Sequence, residues 1–113
     1  MQQSYRLRKN KQYQYVYHRG RSCACREIVL LYARSSKLQV GFSVSRKIGN
    51  SVTRNRVKRR MREAVTPLIP EIRGNVNVIF IARSAIVEAP FAEIRAAMRA
   101  LLSRADLLRG NEP

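Results

Sequence analysis

The chain has 113 residues, enough for one domain with a single core and too few for two. Its hydrophobic share of 45% is that of a folded protein and excludes a wholly disordered chain. The charge is unusual, because 23 lysines and arginines stand against 7 acids and give a net charge of +16. We therefore expect one globular domain over residues 1–113, with flexible ends over residues 1–5 and 107–113.

The net positive charge is confined to the N-terminal half. Residues 1–62 contain 17 basic residues and one acid, Glu27, whereas residues 63–113 contain six of each. This asymmetry predicts a nucleic-acid partner, because each neutralised phosphate releases counterions and strengthens binding. An anionic membrane is the competing partner, but no segment combines a basic face with an anchoring face of large apolar side chains.

Further features indicate a cytoplasmic protein. No apolar run approaches the ~20 residues that span a bilayer, and the opening residues MQQSYRLRKNK lack the apolar stretch of a secretory signal. Cys23 and Cys25 are separated by one residue, a spacing that is poor for a local disulfide. His18 does not complete a plausible zinc site with them, so we expect reduced thiols and no metal or cofactor held by the protein.

The first predicted element is a helix over Asn10–His18, ended by Gly20. Tyr13, Val16 and Tyr17 fall at positions i, i+3 and i+4, so one helix face carries two aromatic rings. These rings could pack in the core or could stack on unpaired bases. The residues alone leave both interpretations open.

Three strands are expected next, near residues 22–25, over Glu27–Ala33 and over Leu38–Ser45. The second is apolar and β-branched, which predicts a buried strand. The third alternates apolar and polar residues, which predicts a half-buried strand. A turn over residues 34–37 joins these last two, so we expect them to form a hairpin.

In the C-terminal half, Asn50 or Ser51 can cap a helix that runs to about Thr66. Val76–Ala82 predicts another buried strand, and Pro90 suits the first turn of a last helix. The apolar stripe of that helix is Phe91, Ile94, Met98, Leu101, Leu102 and Ala105. The order α-β-β-β-α-β-α predicts an α+β single-domain sandwich, with helices covering an antiparallel-dominated sheet.

Residues 51–64 (SVTRNRVKRRMREA) carry the strongest functional signal. Wound as a helix that continues to about Thr66, this stretch places Val57, Met61, Ala64 and, just beyond it, Leu68 on one side, which can pack on the sheet. Like charges at i, i+4 repel, and Glu63 is the only acid present, so a phosphate-binding face explains the pattern better than an ordinary solvated face. Charge alone does not separate RNA from DNA. The cationic or amide side chains are Arg54, Asn55, Arg56, Lys58, Arg59, Arg60 and Arg62.

This helix lies within a longer pattern. Residues 43–59 (SVSRKIGNSVTRNRVKR) resemble the signature of the bacterial ribonuclease P protein subunit family, whose centre is an Arg-Asn-Arg box. Residues 6–10 (RLRKN), the aromatic residues at 13 and 17, and residues 81–83 (IAR) are similar to the family as well. The resemblance extends over roughly residues 6–102, nearly the whole chain.

The resemblance implies a protein that assists a catalytic RNA in removing the 5′ leader of precursor tRNA. The RNA would use Mg²⁺ for the hydrolysis, and the protein would supply no catalytic residue. It implies a monomer in a one-protein, one-RNA complex, without a DNA or membrane partner. By resemblance, the residues that contact the catalytic RNA are Arg54, Asn55, Arg56, Lys58, Arg59 and Arg62. Those of a leader-binding cleft between the first helix and the sheet are Tyr13, Tyr17, Leu31, Arg46, Lys47 and Arg83.

Two positions depart from the family's pattern. The family often has an aromatic residue facing the leader on the first long strand, where this chain aligns Leu31 and has Tyr32 one residue later. A step of one residue turns a side chain to the other face of the sheet. Arg60 occupies a position that is usually apolar. The family fold also implies a left-handed β-α-β crossover, whereas general rules favour a right-handed one.

The acids are scattered singly and His18 stands alone, so the residues do not predict a hydrolytic centre. Two other functions compete with the one that the resemblance implies. A general RNA-binding protein would explain the charge, but not the Arg-Asn-Arg box together with the tyrosines. A DNA-packaging protein would bind duplexes tightly, with no preference for a leader.

Overall fold

The computed structural model describes residues 1–111, which form three α-helices and four strands in the order α1-β1-β2-β3-α2-β4-α3. The helices are α1 (Asn10–Arg19), α2 (Ser51–Val65) and α3 (Phe91–Arg104). The strands are β1 (Arg21–Ala24), β2 (Ile28–Arg34), β3 (Gln39–Ser43) and β4 (Val76–Ala82). The predicted α+β class and element order are confirmed, with boundaries that shift by one or two residues at most ends.

The sheet has the strand order β1-β2-β4-β3. β2 pairs antiparallel with both β1 and β4, whereas β3 pairs parallel with β4. The predicted β2–β3 hairpin is therefore wrong, because β4 lies between the two strands. β4 is buried along almost its whole length, which a central position provides, whereas β3 carries Gly41 and Ser43 and becomes an edge strand.

Helices α2 and α3 cover one face of the sheet. Ile28, Leu30 and Phe80 point from the sheet into this larger core and are fully buried. Met61 of α2 and Met98 of α3 close it from the other side. Because β3 and β4 are parallel neighbours, α2 serves as the crossover between them. The hand of this crossover stays a prediction.

Helix α1 covers part of the opposite face. Val16 is fully buried and clusters with Leu7, Ala33 and Ile79 in a smaller second core. Leu31 and Ile81 of the sheet are only half-buried beside this cluster. The α1 face of the sheet is therefore open beyond the helix, which creates room for a cleft.

Both ends of the described chain contact the domain. The Leu7 amide donates to the Val40 carbonyl at 2.9 Å, which places the N-terminal segment along the free edge of β3. Leu107 and Leu108 are buried, and Leu108 forms an isolated antiparallel bridge with Ile72. Flexibility of residues 1–5 and 107–111 stays a prediction, and residues 112–113 lie outside the described part. No helix within residues 1–111 is long and apolar enough to span a bilayer.

The junction between α1 and β1 depends on Gly20, which lies against the backbone of α1 and β2. A Cβ at this position would collide with the Val16 carbonyl oxygen and would lie 2.9 Å from that of Tyr32. We expect Gly20→Ala to lower the free energy of unfolding by about 1–3 kcal/mol, the usual effect of overpacking. Urea denaturation followed by circular dichroism measures this change.

The matched control is Gly74→Ala, because no other atom of residues 1–111 lies within 4 Å of the added Cβ. This control should change the free energy of unfolding by less than about 0.5 kcal/mol. Equal stability of the Gly20 and Gly74 variants would contradict the close approach of α1 to β2.

Candidate nucleic-acid interface

The orientation of α2 is fixed at its start and along its buried side. The Asn50 side-chain oxygen accepts a hydrogen bond from the Thr53 amide at 2.9 Å, which caps the helix. Val57, Met61 and Ala64 are then buried against the sheet. The predicted cap and the predicted apolar side are both confirmed. With this side buried, the polar and charged side chains of α2 are at least partly exposed.

The six predicted RNA-contacting residues of α2, which we call the basic face, are all at least partly exposed, although the Nε of Arg54 is buried. Three of them, Asn55, Arg56 and Arg59, are exposed. The others, Arg54, Lys58 and Arg62, are partly exposed. Within residues 1–111, no carboxylate forms an ion pair with any of these cations. The charge of the basic face is therefore available to an external polyanion.

Arg60 has a different role. One of its terminal nitrogens donates to the Ala89 carbonyl at 3.1 Å, which ties α2 to the segment that precedes α3. This contact explains why a cation can occupy a position that is usually apolar in the resembled family: the guanidinium reaches a backbone oxygen. Arg60 consequently belongs to the fold and not to the basic face.

The N-terminal segment adds two cations that the sequence reasoning missed. Leu7 is buried under α1, so Arg6 and Arg8 on either side of it point outward. Together with Lys58 and Arg62 they line a cavity of about 410 Å³, to which no Asp or Glu of residues 1–111 contributes. The signal was present in the sequence as the alternation Arg-Leu-Arg, which is typical of an extended segment with one buried side.

The two predicted tyrosines lie side by side on α1, with ring centroids 6.4 Å apart. Tyr13 is half-buried, and its hydroxyl donates to the Leu7 carbonyl at 3.3 Å. Burial raises the pKa of Tyr13, so its phenol remains protonated and neutral. Tyr17 is 41% exposed and presents its ring to solvent. Tyr13 therefore forms a fixed wall, and Tyr17 is free to stack on a ligand.

Gly41 of β3 allows this close packing. A Cβ at Gly41 would come within 2.9 Å of the Tyr13 ring. The Tyr13 ring consequently lies directly on the backbone of β3, and α1 packs close to that edge of the sheet.

The floor of the cleft is the open part of the sheet. Val29 and Ser43 flank Ile81 on its two neighbouring strands, and all three are half-buried. Leu31 lies on this face, whereas Tyr32 packs towards the core on the opposite face. This placement agrees with the expectation from the sequence that neighbouring residues of a strand point to opposite faces of the sheet. Whether Leu31 contacts a ligand stays a prediction.

Three predicted cations lie at one end of this floor, because β3 and β4 are parallel and end at the same side of the sheet. Arg46 and Lys47 follow β3 in a short 3-10 helix and are exposed. Arg83 follows β4, and its guanidinium donates to the Cys25 carbonyl at 2.9 Å. This bond holds Arg83 across the end of the sheet beside the loop between β1 and β2. We call the space between α1, the floor and these cations the leader cleft.

The basic face and the leader cleft together can bind phosphates and unpaired bases. Arginines grip phosphate with a planar fork, and exposed aromatic rings stack on bases. Within residues 1–111, no three His, Cys, Asp or Glu side chains lie close enough to share a metal ion. His18 is exposed on α1.

The chain is thus a small α+β protein that presents a basic helix beside an aromatic cleft. A sequence model of the family described as Ribonuclease P matches residues 1–106. The chain belongs to the ribonuclease P protein family.

Individual relatives agree with this assignment. The ribonuclease P protein component of Symbiobacterium thermophilum is 42% identical over 112 residues, which cover 96% of this chain and 97% of that protein. A Staphylococcus aureus RNase P protein mutant superimposes with a TM-score of 0.86 at 31% identity, covering 93% and 91% of the two chains. The RNase P protein from Thermotoga maritima gives 0.80 at 25% identity, covering 88% and 96%.

Two asparagines near the start of α2 are expected to differ in their effect on stability, because Asn50 caps the helix and Asn55 is exposed. We expect Asn50→Ala to lower the free energy of unfolding by about 1 kcal/mol, because it removes the helix cap. Asn55→Ala should change it by less than about 0.5 kcal/mol, because Asn55 is exposed. Urea denaturation of both variants measures the difference. A large loss for Asn55→Ala would mean that Asn55 is structural and not a surface contact.

Proposed function

We propose that this chain is the protein subunit of a ribonuclease P holoenzyme. It binds the catalytic RNA through the basic face and holds the 5′ leader of precursor tRNA in the leader cleft. The RNA carries out the magnesium-dependent cleavage that produces the mature 5′ end. The observation that supports this most directly is an uncovered basic face, which forms no ion pair with a carboxylate of residues 1–111, beside a cleft with an exposed tyrosine.

Electrostatics favours RNA as the partner of the basic face. Its five cations have no ion pair among residues 1–111, so binding a phosphate breaks no internal interaction. The cations occupy successive turns of a rigid helix and therefore match one fixed arrangement of phosphates. A folded RNA offers such an arrangement, whereas a flexible polyanion must lose entropy to adopt it.

The apolar floor of the leader cleft favours a single-stranded leader. Val29, Leu31 and Ile81 are half-buried on the open face of the sheet. Paired bases present only their edges and cannot lie on such a surface, whereas unpaired bases expose their faces. Tyr17 can stack on one base, which contributes roughly 1–3 kcal/mol, and the cations Arg46, Lys47 and Arg83 lie where phosphates would leave the cleft.

In this proposal the protein contributes binding and not bond breaking, as a monomer in a one-protein, one-RNA complex of the cytoplasm. A second candidate is an RNA-binding protein whose targets extend beyond precursor tRNA. It is favoured by the structure from Staphylococcus aureus, which is described as an RNase P protein mutant "with defective mRNA degradation activity". The two candidates differ in their dependence on the catalytic RNA.

Reconstitution separates these candidates. The protein is mixed with a bacterial ribonuclease P RNA and a precursor tRNA at a magnesium concentration where the RNA alone is slow. We expect the protein to increase the rate of 5′ cleavage and the affinity for the precursor. An unchanged cleavage rate, with binding to unrelated RNAs retained, would support the second candidate instead. Tight binding to duplex DNA of any sequence would indicate a DNA-packaging protein.

The basic face is tested by Arg54→Ala combined with Arg59→Ala. We expect weaker assembly with the catalytic RNA, and a slope of log affinity against log salt that falls by about 1 for each arginine–phosphate interaction removed. Filter binding over a series of salt concentrations measures both quantities. Arg95→Glu is the matched control, because it changes the charge by the same amount at an exposed position on α3. Similar effects of the two changes would mean that only the net charge matters.

The leader cleft is tested by Tyr17→Ala. Removal of one stacking ring should weaken binding of a leader-bearing precursor by roughly 1–3 kcal/mol, while binding of mature tRNA to the holoenzyme stays nearly the same. Tyr17→Phe keeps the ring and should restore most of the affinity. Equal losses of affinity for precursor and mature tRNA would contradict the placement of the leader in this cleft.

A further inference from the structure

A second surface with aromatic and cationic side chains lies at the other end of the sheet. It is an open groove of about 1260 Å³, larger than the ~300–1,000 Å³ of typical small-molecule pockets. None of the residues of the basic face or of the leader cleft lines it. We call it the end groove and define it by its large side chains, which are Tyr15, Arg19, Arg21, Tyr32 and Arg34.

The end groove forms where α1, β1 and β2 meet. Gly20 lets the last turn of α1 lie against the Tyr32 carbonyl, which brings Arg19 next to β2. Arg21 of β1 is the register partner of Tyr32. All the defining side chains except Tyr32 and Arg34 therefore come from the two elements that Gly20 joins, and their positions are set by helix and strand geometry.

The loops at the base of the groove are also fixed by a backbone contact. The Ser35 amide donates to the Asn75 carbonyl at 3.0 Å, which links the loop after β2 to the loop before β4. Asn75 has a φ of 63°, a left-handed conformation that asparagine tolerates better than most residues. Ser35, Ser36 and Asn75 all line the groove and supply hydrogen-bonding groups at its base.

The charge of the end groove is positive and largely uncompensated. Arg19, Arg21 and Arg34 are exposed, and no carboxylate within residues 1–111 forms an ion pair with any of them. Among residues 1–111, the one acid that lines the groove is Asp106, and it lies 3.4 Å from the guanidinium of Arg73. Three arginines consequently line the groove without an ion pair to any carboxylate of the described residues.

The two tyrosines of the end groove favour a polyanion that carries unpaired bases. Tyr15 is 49% exposed, and Tyr32 is partly exposed at the side of the groove. Tyr15 lies two residues before Tyr17, so the two rings point to different sides of α1. The exposed ring of Tyr15 and the accessible part of Tyr32, whose other side packs against the core, lie between arginines. They provide stacking surfaces for unpaired bases, with cationic groups in reach of the linking phosphates.

From this combination we propose that the end groove is a second binding site for single-stranded RNA, separate from the leader cleft and from the basic face. An acidic protein segment would satisfy the arginines, but it would leave the two rings and the serine and asparagine groups without matched partners. Duplex RNA would satisfy the arginines and would not offer base faces to the rings.

The test uses the full chain and a fluorescent, thiouridine-containing oligouridylate of about 16 nucleotides, the upper end of what one small domain covers. After irradiation, cross-linked peptides are identified by mass spectrometry. We expect cross-links in the peptides that carry Tyr15 or Tyr32. Tyr15→Ala should reduce the yield of these cross-links about tenfold, and Tyr15→Phe should restore it.

The cations are tested by Arg19→Ala combined with Arg34→Ala, with Arg95→Glu as the control of equal charge change. The double variant should lose most of the end-groove cross-links. The slope of its log affinity for the oligouridylate against log salt concentration should fall by about 1.4, as expected when a single strand is held at two fewer phosphates. The Arg95→Glu protein should behave like the unsubstituted chain, and Tyr17→Ala should leave the end-groove cross-links intact.

Three results would overturn the proposal. The first is cross-linking confined to the leader cleft and the basic face. The second is an equal loss of cross-links in the double variant and in Arg95→Glu. The third is displacement of the RNA by polyglutamate or duplex RNA as effectively as by unlabelled oligouridylate. The assay contains neither ribonuclease P RNA nor precursor tRNA, so its outcome is independent of the proposed holoenzyme role.

Discussion

The division of α2 into a buried side and a basic face is the constraint on which the rest of the structure depends. Lysine and arginine four residues apart, as at Lys58 and Arg62, repel each other by a few tenths of a kcal/mol, and isolated helices of this length are marginal in water. Burial of Val57, Met61 and Val65 in the core stabilises the helix against this repulsion. The core therefore holds the cations in a row, and it leaves their side of the helix uncovered.

The sequence predicted the elements of the fold well because each depends on local patterns. The apolar run Val76–Ala82 predicted β4 to the residue, and the two candidate caps Asn50 and Ser51 predicted the start of α2 to within one residue. The strand order was not predictable in the same way. β2 and β3 are joined by a short turn, and this suggested a hairpin. The strand that enters between them comes from more than thirty residues further along the chain, and its place is decided by burial of both of its faces.

The candidate sites were also predictable only where their residues belong to one local pattern. The basic face followed from helical periodicity, because all its residues belong to one element. The leader cleft required the resemblance to a family, since residues from α1, β2 and the ends of β3 and β4 converge only in the folded chain. Arg6 and Arg8 were missed although their alternation with Leu7 was visible, because a three-residue pattern does not say which strand edge it will join. The end groove was missed because it depends on Gly20, whose role is a close backbone approach.

Helix α1 relates the two aromatic surfaces to each other. Val16 anchors the helix, and the residues on either side of it in sequence, Tyr15 and Tyr17, project about 100° to each side of the anchored direction. A rotation of α1 that buried Tyr15 would therefore expose Tyr13 and lift it from Gly41, and the opposite rotation would bury Tyr17. The contact of Tyr13 with Gly41 at one end and that of Gly20 with β2 at the other prevent both rotations. Gly41 and Gly20 thus keep Tyr17 directed towards the leader cleft and Tyr15 directed towards the end groove. A helix of ten residues can therefore contribute an aromatic ring to each of the two surfaces.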